Sequence, residues 1–200
     1  DDAAVARLPL VPPTDPWHDE WRQRADSADR LAAALRRRPA RPVILEVGCG
    51  NGWLAHRLAA LPGSRVTGLD VNEHELAQAR RVFGGVANLR FVAGDVLDCP
   101  APAPAPDVIV LASVVQYVPD LAALLARLTG WLALGGEVDL LDSPLYEAAE
   151  VPAARARTVR HYTALGTPAG VQICATAWKI RKSLRYRSLE PCRVMRKPFG

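Results

Sequence analysis

No apolar run in these 200 residues approaches the ~20 that a membrane-spanning helix needs. The most apolar stretch, 108–115, is only strand-length and already contains Ser113. A helical membrane span is therefore excluded from this sequence, and no membrane partner is expected. A basic start followed by an apolar segment is also missing from "DDAAVARLPLVPP", so no secretory signal is legible. The expected compartment is the cytoplasm. The chain opens on Asp1 rather than Met, so removal of a segment ahead of it is an expectation. Cys49, Cys99, Cys174 and Cys192 form no CxxC, and no His stands at zinc-ligand spacing from them. They read as reduced thiols, with no metal site.

Acidic residues are nearly absent from the last quarter. Residues 1–150 hold 14 Lys+Arg against 20 Asp+Glu, a net of −6, while residues 151–200 hold 11 against 1, a net of +10. A basic tail suits nucleic acid, a phospholipid surface or an anionic substrate. It also suits a plain solvated face, and the lack of interleaved aromatic stacking platforms favours that reading. What remains is ordinary: 50% hydrophobic and 23% charged residues, in a length that fits one domain with a real core.

Along the chain, residues 1–14 read as an extended, Pro-rich lead. "TDPWHDEW" predicts a helix capped by Thr14 or Asp15, with Pro16 in its first turn. Trp17, Trp21, Ala25, Ala28 and Leu35 share one helical stripe. Residues 1–39 thus form an N-terminal extension and helix, and 40–200 the main domain. "VILEV" (43–47) is a buried strand. Helix and strand then alternate: helix 52–61, strand 65–71, a helix opened by the Asn72–Glu75 capping pair, strand 89–95, a Pro-Ala connector at 99–107, strand 107–113, helix 119–134 and strand 136–143. The expected fold is α/β, a doubly wound and mostly parallel sheet with helices on both faces. A further helix at 151–166 and a late strand at 184–191 follow, with residues 144–183 read as an insertion that shapes an acceptor site.

The first strand runs into "LEVGCGNGW", with Gly48, Gly50 and Gly52 at alternate positions behind Glu46. A glycine-rich turn between a strand and a helix suits a nucleotide-like ligand. The dinucleotide spacing GxGxxG would place a third glycine at 53, which is Trp53. No GK[ST] follows, so a triphosphate loop is excluded. Asp70 closes the second strand, where a carboxylate can accept from both ribose hydroxyls and repel a 2′-phosphate. "AGDVLD" closes the third, "ASVVQYVPD" follows the fourth, and "LALGGEVDL" precedes the fifth.

In that order these motifs resemble the class I S-adenosylmethionine (SAM)-dependent methyltransferases, over about residues 40–143. The resemblance implies SAM as cofactor and S-adenosylhomocysteine (SAH) as product. It sets the methionine end along Gly48, Cys49 and Gly50, where missing side chains make room, and Glu46 opposite the ammonium. It sets the ribose on Asp70 beside Val71, and the adenine amino group on Asp95 with the Val96 N–H reaching the ring. Ser113 lies next to the expected methyl group.

Methyl transfer is a displacement that needs alignment, and oxygen or nitrogen acceptors also need a proton removed. No dedicated base stands out. His56 and His74 sit among charged neighbours, and His18 lies on the Trp17–Trp21 helix, which either packs on the sheet edge or folds over the cofactor. His161, after the fifth strand, is the base candidate, and Tyr117 the residue to orient the acceptor. No Asn-Pro-Pro-Tyr, Asp-Pro-Pro-Tyr or Pro-Cys string follows strand four, which argues against adenine-amine, glutamine and cytosine-C5 acceptors. The expected partner is a small-molecule acceptor. A nucleic-acid acceptor using the basic tail and a non-catalytic SAM/SAH-binding module are the alternatives. The resembling family ends on a sixth and an antiparallel seventh strand. "CRVMRKPFG", with Pro198 and Gly200, predicts a seventh strand that is short or missing, leaving an open edge for homodimerisation.

Overall fold

Strand β4 (Val108–Ala112) lies at the centre of the sheet and shows why these segments become buried strands. Side chains alternate between faces along a strand. Val108 and Val110 accordingly enter one apolar cluster, and Ile109 and Leu111 the other. With both faces covered, the segment has no polar side to show in its sequence. The computed structural model describes residues 1–38, 41–143, 146, 149–164, 186–189 and 192–196.

β1 (Val43–Val47), β2 (Arg65–Asp70), β3 (Leu89–Ala93), β4 and β5 (Glu137–Leu141) are parallel, in the order β3-β2-β1-β4-β5. β2 follows β1 on one side and β4 lies on the other, so the order reverses between β1 and β4. Ligands of such sheets sit outside the carboxyl ends at that reversal. The first apolar cluster packs helix α2 (His18–Arg36) through Ala28, Leu31 and Leu35, and α3 (Trp53–Ala59) through Leu54 and Leu58. α4 (Glu73–Phe83) adds Phe83. The second cluster sets Leu124 and Leu128 of α5 (Leu121–Trp131) on the opposite face. Each fully buried leucine contributes roughly 2–3 kcal/mol of transfer free energy. The capping reading holds at α4, where Asn72 Oδ1 accepts from the His74 and Glu75 N–H groups at 3.1 and 3.3 Å.

Three expectations change. The lead is not wholly extended, because Asp2–Arg7 forms helix α1, capped by the Asp1 carboxylate on the Ala4 N–H at 2.6 Å. Six residues are too few to show a period, and too few to be stable alone. Tertiary contact supplies the difference: Val5 is buried, and Asp2 accepts from Arg81 Nε and Nη2 and from Gln78 on α4. These bonds hold the Asp2 carboxyl down at about 2. Helix α2 starts at His18 behind Trp17, so Pro16 precedes it; Asp15 instead accepts from the Trp17 N–H at 2.8 Å. The seventh strand is present. β7 (Cys192–Arg196) pairs antiparallel with β5, and β6 (Tyr186–Leu189) pairs antiparallel with β7. The strand ends two residues before Pro198, so the missing proline donor does not touch the ladder. The argument for a homodimer from an absent strand loses its premise. α6 (Val151–Ala164) realises the expected helix after β5, while residues 165–183 of the expected insertion lie outside the described residues.

Candidate functional site

The loop after β1 is built on left-handed backbone. Gly48, Gly50 and Gly52 have φ of +73°, +50° and +79°, a region that costs residues with a Cβ. Space adds a second reason, and it differs between the three. A Cβ at Gly48 would meet Val114 Cγ2 at 2.4 Å, and one at Gly52 would meet the Phe91 ring at 2.6 Å. At Gly50 the nearest atom is Glu75 Oε2, at 3.7 Å. Only Gly50 therefore leaves room on the open side of the loop. The room expected at Gly48 is filled by Val114. Backbone bonds fix the turn from β2: the Gly48 and Cys49 N–H groups donate to Leu69 O at 2.8 and 3.2 Å. The Gly50 N–H donates to Asp70 Oδ2 at 2.7 Å, and the Asn72 N–H to Asp70 Oδ1 at 2.8 Å. One carboxylate thus ties the loops after β1 and β2 together.

Two cavities open at the carboxyl ends of the strands. The first, about 480 Å³, is lined by Glu46, Cys49, Gly50 and Ser113 among others. The second, about 280 Å³, is lined by Val71, Asp95, Val96, Leu97, Val114 and Pro119. Both reach Gly48, Asp70 and Tyr117, so they adjoin across the β1/β4 reversal. The first offers carboxylates and backbone. The second is walled by valines, Leu97 and Pro119, with the Asp70 and Asp95 carboxylates at its rim. A long ligand with a polar end and a flat, mostly apolar end suits that division. All the sequence-derived cofactor candidates line one cavity or the other.

Glu46 is 2% exposed, and among the described residues its Oε2 has no hydrogen-bond partner. Burial drives its carboxyl well above the usual range, the nearby Asp70 charge adds to this, and the Ala55 N–H opposes it. A buried, half-satisfied carboxyl costs stability unless something else bonds it. Cys49 is buried beside it, and desolvation with the Glu46 and Asp70 charges pushes the thiol far up, so it is an inert wall. Asp95 Oδ1 accepts from the Leu97 N–H at 2.8 Å, so the residue also shapes its own turn.

Ser113 and Asp142 are the positive-φ residues other than glycine among those described, at +57° and +50°. They follow the neighbouring strands β4 and β5 and are joined, Ser113 Oγ donating to Asp142 O at 3.2 Å. Gln116 Nε2 donates to Ser113 O at 2.7 Å, and Ser143 Oγ donates to Gln116 Oε1 at 3.0 Å. Tyr117 stands half exposed at the rim shared by both cavities. His161 lies on α6, and its side chain is outside the described residues. His18 turns away from a cofactor role: its Nδ1 lies 3.1 Å from Pro12 O and 3.3 Å from Val11 O, and so steadies the lead.

Helix α2 answers to both readings of the Trp helix. Its middle is core, while Trp21 and Arg24 line the first cavity. The Trp21 and Trp53 rings meet edge to face, 5.5 Å between centroids, and the Arg24 guanidinium stacks 4.9 Å above Trp21. Sequence reasoning missed Arg24, Asn51, Glu75 and Asp142. A signal existed for Asp142: it ends its strand in "LLDS" as Ser113 ends β4, and strand ends are where this fold builds sites.

Comparison with known proteins agrees with this geometry. A family model described as a methyltransferase domain matches residues 44–136. A trans-aconitate 2-methyltransferase from Acidovorax sp. (strain JS42) is 38% identical over 141 residues, covering 66% of this chain and 53% of that protein. The chain thus spans about half the length of that relative. CalS10, an amino pentose methyltransferase from Micromonospora echinaspora solved with SAM bound, is 30% identical with a TM-score of 0.50, over 74% of this chain and 56% of that one. YcgJ from Bacillus subtilis shares the fold at a TM-score of 0.65 and 19% identity, over 82% of this chain and 70% of that one.

Proposed function

This chain belongs to the class I SAM-dependent methyltransferases, and from that premise we propose that it transfers the SAM methyl group to an oxygen or nitrogen atom of a small-molecule acceptor. The observation that carries the proposal is the orphaned Oε2 of Glu46 inside the first of two adjoining cavities. That atom suits the SAM ammonium, Gly50 leaves the methionine room, and Asp70 keeps lone pairs for ribose hydroxyls beside Val71. Asp95 and Val96 suit the adenine edge in the second cavity. When bound, SAM supplies a methyl group already activated on a sulfonium, so the protein's work is alignment and proton removal. Ser113 and Tyr117 line the side on which an acceptor would approach, with Tyr117 placed to orient it.

The small-molecule reading is supported by the two methyltransferase relatives, one named for trans-aconitate and the other for an amino pentose. An RNA acceptor is the second reading, favoured by the exposed Arg155, Arg157 and Arg160 of α6. Incubation with SAM and a panel of hydroxyl, amine and carboxylate acceptors tests the proposal, with SAH measured by chromatography. Acceptor-dependent SAH supports it. SAH release with RNA alone moves the acceptor to nucleic acid. SAM binding without turnover on any acceptor leaves a non-catalytic binding module.

Glu46→Gln separates the cofactor role of Glu46 from its cost. The folded carboxyl titrates above its ordinary 4.5, so the native state binds a proton more tightly than the unfolded chain. That proton-linked stability is full below 4.5 and is lost as pH rises through the raised value. Removing the titration should therefore raise the melting temperature of the ligand-free protein relative to wild type at neutral pH. SAM affinity should fall about tenfold, the loss of one charge-assisted hydrogen bond. Calorimetry beside thermal melts reads both, and unchanged SAM affinity would remove Glu46 from the site.

A further inference from the structure

The geometry points to Asp142 as the group that takes the acceptor's proton, an inference that rests on the methyltransferase reading above. Asp142 lines the same cavity as Glu46, Gly50 and Ser113, at the tip of β5. Two hydrogen bonds and a left-handed backbone fix it in place. Its backbone is kept left-handed at φ +50°, a strain that persists where the surroundings enforce it. Its carbonyl accepts from the equally strained Ser113, and its Oδ1 accepts from Ser27 Oγ at 2.6 Å. Ser27 is fully buried on α2, so the carboxyl is braced from the core side. Among the described residues no hydrogen bond is made to Oδ2, which leaves that oxygen for the cavity.

Arg24 and Arg30 of α2 attract the negative form of Asp142, Glu20 of α2 repels it, and the Ser27 hydroxyl stabilises it. Desolvation outweighs these and moves the carboxyl up from the ordinary 3.8, toward the range useful for a base. Glu46 of β1 and Tyr117 also face the cavity.

The step balances without a further reactant. A lone pair on the acceptor oxygen or nitrogen forms the new bond to the methyl carbon. The carbon–sulfur bond breaks with its electrons on sulfur, leaving SAH. The proton from the acceptor O–H or N–H passes to Asp142 Oδ2 and then to solvent. The acceptor is therefore a hydroxyl or an amine, not an unprotonated carboxylate, which has no proton to give and would face a like charge.

The test needs no acceptor. Sinefungin carries an amine-bearing carbon where SAM carries its methylsulfonium, so its ammonium samples the place of the transferred group. Calorimetry of wild type and Asp142→Asn with sinefungin and with SAH gives a preference ratio for each. Asparagine tolerates the left-handed backbone, so this variant keeps the turn. The expected result is sinefungin weakened roughly tenfold or more in the variant, with SAH within twofold of wild type. In wild type the preference should fade as pH drops through the Asp142 titration, and in Asp142→Asn it should not. Ser27→Ala is the second variant. It keeps the carboxylate but removes a bond that lowers its pKa, so the pH midpoint of the preference should move upward.

An unchanged ratio in Asp142→Asn overturns the inference, as does equal loss of both ligands. Loss of the preference in His161→Ala but not in Asp142→Asn assigns the proton to His161 and also overturns it. Absence of SAH binding by the folded wild type defeats the methyltransferase reading itself, and this inference with it.

Discussion

Gly48→Ala is expected to destabilise the protein by roughly 2–5 kcal/mol. The left-handed φ of +73° accounts for about 1–2 kcal/mol of this. The rest comes from overpacking, because the new methyl carbon would sit 2.4 Å from Val114 Cγ2. Val114 follows β4 and cannot retreat freely, since it packs on the cluster that holds α5. Urea denaturation reads the loss as a lower midpoint with an unchanged slope. Val114→Ala in the same chain should recover the overpacking part and none of the backbone part. Gly50→Ala is the control: it meets nothing closer than 3.7 Å, so it pays the conformational cost alone while obstructing the cavity. Equal destabilisation at both positions would mean that Val114 moves aside.

Asp70→Ala should weaken SAM at least about 100-fold, the loss of two charge-assisted hydrogen bonds to ribose hydroxyls. It should weaken SAM further by a second route. The same carboxylate accepts from the Gly50 and Asn72 N–H groups, so its removal loosens the loop that makes the cavity floor. Asp70→Asn distinguishes the two contributions. It keeps one acceptor oxygen and the volume, and should bind SAM between wild type and the alanine variant. Thermal melts of both variants establish that a folded protein is being titrated. Wild-type affinity in Asp70→Ala would remove the ribose assignment.

The parallel half of the fold was legible because its inner strands β1, β4 and β5 are buried on two faces and each linking helix has a cap or a glycine stop. The loop glycines were legible as a motif, yet their reasons were not. That Gly48 yields to Val114 and Gly52 to Phe91 depends on residues far along the chain. Helix α1 was invisible for a related reason, since "DAAVAR" gains its stability from Arg81 and Gln78 on α4. β7 was misjudged because a proline near a strand is harmless once it falls outside the ladder. Asp142 escaped notice because a single acid after a strand is a weak signal, shared with helix caps and turns. Its bond to Ser27, 115 positions away, distinguishes it.

The central claim is that the cavities at the β1/β4 reversal hold SAM. Calorimetric titration of the wild-type chain with SAM, and then with SAH, tests it most directly. One-to-one binding of both ligands is expected at roughly micromolar concentrations or somewhat above. A cooperatively folding protein that takes up neither ligand at millimolar concentration would contradict it.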